Sequence, residues 1–249
     1  MSAELAAAYR DLRGRILDMT AELSAEEAER MVPCCPEWSV RDLLCHLAGV
    51  PADILTGNTA EAATVAWADS HVTRRAGWDV ARIRAELDEA GTQVDEVIAA
   101  FGDRFPGPFY IDAWTHEADL AQALGRPGPS DLRLVDHVLD FLVDSIDRRL
   151  TEAGLGPVTV TGLGPDRSVG AGSASDGSTG DPGTNEPAAG GAELHTNRFE
   201  FARATMGRRS RAQLAAFDWR GIDGSVAGPL LVAWTPNDVD IIEVEPQTR

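Results

Sequence analysis

The run Phe109-Tyr-Ile-Asp112-Ala-Trp-Thr-His116-Glu-Ala-Asp119-Leu-Ala-Gln-Ala-Leu-Gly125 decides the reading of this chain. It reads as a helix that stops at Gly125-Arg-Pro. At 100° per residue, Phe109, Ala113, Leu120 and Leu124 fall on one apolar stripe. Asp112, His116 and Asp119 cluster on its border, within roughly 60° of one another. Residues i and i+4 lie one turn apart on the same face. Asp112 and His116 can therefore grip one divalent cation, or form an ordinary i,i+4 pair near the surface. Polar groups beside a buried face are costly without partners, and a metal would satisfy these. Asp119, at i+3 from His116, could replace Asp112 as the oxygen ligand.

Working back along the chain, Ser39-Val-Arg-Asp42 is a helix N-cap with an acidic residue at the third helical position. The helix it opens carries Leu43, Leu44, His46 and Leu47, and Pro51 is expected to kink or break it. His46 lies one turn from Leu43 and Val50, so it points partly inward. It is either a hydrogen-bonded core histidine or a third ligand to the Asp112–His116 pair. Three ligands with an open position are what a catalytic zinc site needs. His71, His137 and His195 lie outside this cluster and read as structural or solvated. Cys34 and Cys35 sit in a Pro-flanked loop, and their plain reading is packing; Cys45 is expected inside the bundle.

The rest of the first 153 residues also reads as helices. Leu5, Tyr9, Leu12, Ile16, Met19 and Leu23 form a core-facing stripe. Ser24 can open a short second piece, and Pro33 and Pro36 then enforce a loop. Asp79 caps a helix containing Val80, Ile83, Leu87, Val94, Val97, Ile98 and Phe101. Ser130 is expected to cap the last, with Val135, Leu139, Leu142, Ile146 and Leu150 as its stripe. Amphipathic helices with short connections predict an up-and-down bundle over 1–153.

Beyond it the pattern changes. Val158–Thr161 alternates as a strand does. Residues 170–191 are dense in Gly, Ser, Asp and Pro and read as a mobile loop that folding does not need. Asn197–Phe217 is helical with a break at Gly207. Gly228–Trp234 and Asp240–Val244 read as strands. Residues 154–249 are thus expected to form a small α/β domain.

The charge excludes some partners. All 22 basic residues are Arg, against 40 acidic ones, for a net charge of −18. Phosphate contacts need clustered basic side chains, so neither nucleic acid nor an anionic membrane is an expected partner. The first residues contain no apolar run of the kind that directs secretion, and no stretch has the roughly 18 apolar residues of a membrane span. With three cysteines and no disulfide framework, a reducing cytoplasm is the expected location. The sequence leaves the oligomeric state open.

Three blocks resemble one family. Val32–Gly49 is similar to the entry to the metal helix of the mycothiol-dependent maleylpyruvate isomerases, which belong to the DinB-like superfamily of helical bundles. Asp112-Ala-Trp-Thr-His116-Glu-Ala-Asp119 is similar to their second ligand helix. Phe199–Gln213, including Gly207-Arg208-Arg209-Ser210, resembles their sterol-carrier-like second domain. The resemblance implies a divalent metal, usually zinc, held by His46, Asp112 and His116. Better-known members carry Glu where this chain has the shorter Asp112.

It also implies mycothiol as thiol cosubstrate, adding reversibly to a conjugated cis double bond so that the trans isomer is released. Substrates of that kind are dicarboxylates. Arg208 and Arg209 could receive them, since guanidinium groups fork onto carboxylates; the pair could equally be an electrostatic cap at a helix end. Thiol transfer to another electrophile is an alternative activity. A non-enzymatic metal- or ligand-binding protein of the same fold is an alternative of another class.

Overall fold

Helix α1 (Ser2–Met19) buries Leu5, Tyr9, Leu12 and Ile16 along one face, as the stripe predicts. It ends short of Leu23. The computed structural model describes residues 2–101, 105–164, 167–169, 192–233 and 236–244. Ser24 forms a complete capping box with Glu27 and opens the short helix α2 (Ala25–Ala28).

The expected loop at Pro33 and Pro36 is instead a small antiparallel hairpin, β1 (Met31–Val32) and β2 (Cys35–Ser39), with an irregular register between Met31 and Val32. A two-stranded ribbon tolerates proline, because each strand has an unpaired side where the missing N–H is not needed. Ser39 and Asp42 then make the second capping box, which starts α3 (Val40–Thr56).

Contrary to the sequence expectation, Pro51 does not end α3. The helix runs on to Gly57, whose φ of 75° supplies the left-handed turn that stops it. Pro51 forfeits one helical hydrogen bond. Its surroundings are packed tightly enough to hold the helix: Leu47, Val50 and Asp53 are all buried beside it. Helix α4 (Val65–Arg74), capped by Thr64, was not foreseen.

Asp79 accepts a hydrogen bond from the Arg82 N–H at the start of α5 (Val80–Phe101). Helix α6 (Gly107–Ala123) is buried almost throughout and stops before Gly125, at φ 63°. Helices α1, α3, α5 and α6 pack against one another, with α4 against α3.

Helix α7 (Arg133–Glu152) buries Val135, Leu139, Leu142, Ile146 and Leu150. Its first N–H is capped by Asp131, not by the expected Ser130. Asp131 also receives the Arg133 and Arg15 guanidinium groups, an electrostatic advantage that a serine lacks.

Two compact units result: the described residues up to Val135 together with 242–244, and the described residues from Asp136 to Ile241.

The second unit is a small mixed sheet with helices. Its strand order is β4-β3-β5-β6, with β3 (Val158–Thr161), β4 (Arg167–Val169), β5 (Ala192–His195) and β6 (Asp218–Arg220). Strand β3 runs parallel to β5; the two outer pairings are antiparallel. Gly207, at φ 78°, separates α8 (Arg198–Thr205) from α9 (Arg211–Ala215), as expected.

The strand predicted from Gly228 is not one. Helix α10 (Gly224–Ala227), capped by Asp223, leads into a 3-10 turn at Gly228–Leu231 that buries Leu231. A short apolar run cannot by itself distinguish a strand from a buried helical turn. Residues 240–243 belong to no ladder, and Val244 forms an isolated bridge with Pro127. The loop expected over 170–191 and the predicted strand end at Trp234 lie outside the described residues. Among the described residues, no helix is long and apolar enough to cross a membrane.

Candidate metal centre

All the residues of the site lie in the helical unit. The capping box at Ser39 fixes the phase of α3, and that phase turns His46 inward among Leu43, Leu47 and Val50. Helix α6 brings Asp112 and His116 to the same point. His46 Nε2 lies 3.4 Å from Asp112 Oδ2, and His116 Nε2 lies 3.5 Å from Asp112 Oδ1. The two imidazole rings meet edge to face with centroids 5.0 Å apart. One donor atom from each of the three residues falls within 4.8 Å of the others. Both histidines are buried, whereas the Asp112 side chain is 35% exposed.

Two imidazoles and a carboxylate with one side open form a donor set suited to zinc or a similar divalent ion. The electrostatics agree. Burial acts to raise the Asp112 pKa, but the adjoining His116 and His46 hold it far below the usual carboxylate range. Burial acts against a charged His116, yet Asp112 and Asp119 raise its pKa overall. Both shifts favour positive charge beside the Asp112 carboxylate, the charge that a divalent ion supplies.

Asp119 is fully buried on α6, one turn beyond His116, and its Oδ2 lies 2.9 Å from His116 Nδ1. A carboxylate behind the ring of a ligating histidine fixes its tautomer and orientation. Cys35 was expected merely to pack. In the structure its Sγ stands 3.9 Å from Asp119 Oδ2, and Cys35, His116 and Asp119 form a second group of possible ligands. The His46 group is the better candidate, because in the Cys35 group the His116–Asp119 contact is already a well-formed hydrogen bond. The Cys34 thiol donates to Gln122, and burial pushes the Cys45 thiol up to about 11.

The sequence missed the other side of His46. Its Nδ1 lies 3.1 Å from Nδ1 of His71, a fully buried residue of α4. His71 had been assigned no part in the cluster. Its Nε2 lies 3.0 Å from Asp53 Oδ2 on α3. Burial, reinforced by His46, pushes the His71 pKa down to about 4. Asp53 is held at about 2: burial acts to raise it, but hydrogen bonds from Arg74, His71 and Asn58 outweigh burial. Two half-buried tryptophans wall the site, Trp38 with its ring 5.1 Å from that of His46 and Trp67 with its ring 4.4 Å from that of His71.

The remaining predicted site residues, Arg208 and Arg209, belong to the second unit. Arg209 is buried and forks onto Glu200 at 2.8 Å through both Nε and Nη2. Arg208 donates to the Met206 carbonyl. His195 is bound to Thr161 on neighbouring strands, away from any metal-ligand group among the described residues.

No curated protein and no solved structure matches the chain. Residues 9–124, just under half of the chain, match the family model of the Mycothiol maleylpyruvate isomerase N-terminal domain, and this stretch contains His46, His71, Asp112, His116 and Asp119.

Proposed function

We propose that the protein is a metal-dependent enzyme that uses mycothiol, or a similar small thiol, for addition chemistry such as cis–trans isomerisation of a maleylpyruvate-like substrate. The observation that carries this reading is the convergence of His46, Asp112 and His116 within the matched family domain. In this reading the first unit is a DinB-like bundle, the mixed-sheet unit is sterol-carrier-like, and the protein works in the reducing cytoplasm.

A divalent cation such as zinc, when bound there, lowers the pKa of a thiol and supplies the thiolate, the nucleophilic form. The chain's own residues do the rest. His46 and His116 offer their Nε2 atoms, Asp112 its carboxylate, and Asp119 orients His116. Trp38 and Trp67 keep bulk water from the histidine rings. The thiolate sulfur adds to the cis double bond and the displaced electron pair moves onto the conjugated carbonyl. Rotation about the new single bond follows. The pair then returns, the carbon–sulfur bond breaks, and the trans isomer leaves with the thiolate restored. The cysteines of the chain are not needed as nucleophiles. Arg208 and Arg209 are the proposed receivers of the substrate carboxylates.

The test is to incubate zinc-loaded protein with maleylpyruvate, with and without mycothiol. Isomerisation that depends on the thiol is expected. Conjugation of mycothiol to an added electrophile, without isomerisation, would assign thiol transfer instead. Undiminished turnover with no thiol present would overturn the reading.

A further inference from the structure

We propose that His71 is a positioning residue for the metal centre: backed by Asp53 and Arg74, it holds His46 through Nδ1, so that Nε2 is the ring nitrogen presented beside Asp112. This rests on the metal-centre reading above and deepens it.

A chain of hydrogen bonds runs inward from the surface to His46. Arg74 donates to both oxygens of Asp53 at 2.8 Å, and Asn58 donates to Oδ2 at 3.0 Å. An ionised carboxylate is an acceptor only. The His71 Nε2 that lies 3.0 Å from Oδ2 must therefore carry hydrogen. The Nδ1 of His71 lies 3.1 Å from His46 Nδ1, so the two rings share a hydrogen there and His46 is held through that nitrogen. His46 Nε2, 3.4 Å from the Asp112 carboxylate, donates to it or, with a cation in place of that hydrogen, ligates. With the cation bound, His46 keeps its hydrogen on Nδ1 and donates it to His71, whose own hydrogen goes to Asp53.

A second observation shows that the fold makes room for this contact. A Cβ on Gly49 would meet the His71 ring at 2.3 Å, so only glycine there lets His71 close onto α3. Trp67 stands edge-on to the same ring and limits its rotation. His46 and His116 are thus held in matching ways from opposite sides, one by a histidine backed by a carboxylate and the other by Asp119 directly. Partners of this kind, placed behind a ligating histidine, typically change metal affinity by about 10–100-fold.

The experiment has two readouts besides turnover. Long-range nitrogen-15 NMR of the histidine rings in zinc-loaded wild-type protein should show His46 bound through Nε2 with its hydrogen on Nδ1, and His71 with its hydrogen on Nε2. His46 bound through Nδ1 would overturn the proposal. Zinc affinity, measured by chelator competition, should fall about 10–100-fold in His71→Ala and recover in part in His71→Gln, whose side-chain carbonyl can still accept. Wild-type zinc affinity in a folded His71→Ala would also overturn it. If His71→Ala does not fold, the wild-type spectra still decide. Should the wild type bind no zinc, the metal reading fails and this proposal with it; zinc bound with either contrary result overturns the proposal alone.

Discussion

His116 Nδ1 stands 2.9 Å from Asp119 Oδ2, one turn further along the same helix, while its Nε2 faces Asp112. The ring is therefore held from behind and offered from the front. Removing Asp119 leaves Asp112, His46 and His116 in place but frees the ring to turn. Asp119→Ala is expected to weaken zinc binding by about 10–100-fold without abolishing it. Chelator competition on the purified variant checks this; an unchanged affinity would exclude an orienting role.

Cys45 is fully buried, and burial raises its thiol pKa to about 11. The thiolate is the reactive form. At pH 8 the folded protein should therefore protect Cys45 from iodoacetamide, and denaturant should expose it. Peptide mass analysis reads the result directly. In the same spirit, changing Cys34, Cys35 and Cys45 together to Ser or Ala should leave thiol-dependent turnover intact if the variant folds.

Asp53 ties α3 to α4 through Arg74 and His71. Its folded-state pKa of about 2 lies below its unfolded value. Such a group contributes stability that is fully present above the unfolded pKa, near pH 4, and is lost as pH falls through about 2. The contribution is about 2 kcal/mol. Urea unfolding of wild type and Asp53→Asn should show a gap at pH 7 that narrows below pH 4. A gap that stays constant down to pH 2 would contradict the assignment.

Ser39 closes the capping box that sets where α3 begins, and so the phase of His46. Ser39→Ala should cost about 1 kcal/mol, as loss of an N-cap side chain usually does. Thermal and urea denaturation measure it. A loss several times larger would mean that the hairpin ahead of α3 unravels with the cap.

The Asp112–His116 pair was legible as a candidate because i,i+4 spacing is local, and the Ser39–Asp42 box marked the start of the helix that carries His46. That His46 joins the pair from another helix was implied by the family resemblance and not by any local pattern. The placement of Asp119 followed from the same helical arithmetic, and the break at Gly207 from glycine's freedom to adopt a positive φ.

His71 was not legible, because its partners lie on another helix and α4 has no apolar stripe to announce it. Of the residues from Val65 to Arg74, only His71 is buried. Asp53 could have been found: it is seven residues after His46, two turns along the same face of α3. Pro51 misled because local backbone chemistry argued for a break where packing held the helix. Gly228–Leu231 misled because a four-residue apolar stretch carries no period of its own. Cys35 reached the site through the hairpin, whose pairing no local pattern of the Pro-rich segment foretold.

If His46, Asp112 and His116 hold one divalent ion, metal analysis of the purified protein after zinc loading and desalting should give about one equivalent of zinc per chain, as for other three-ligand sites. Folded His116→Ala should lose most of it. A folded His116→Ala that retains the full equivalent would show that the ion is held elsewhere.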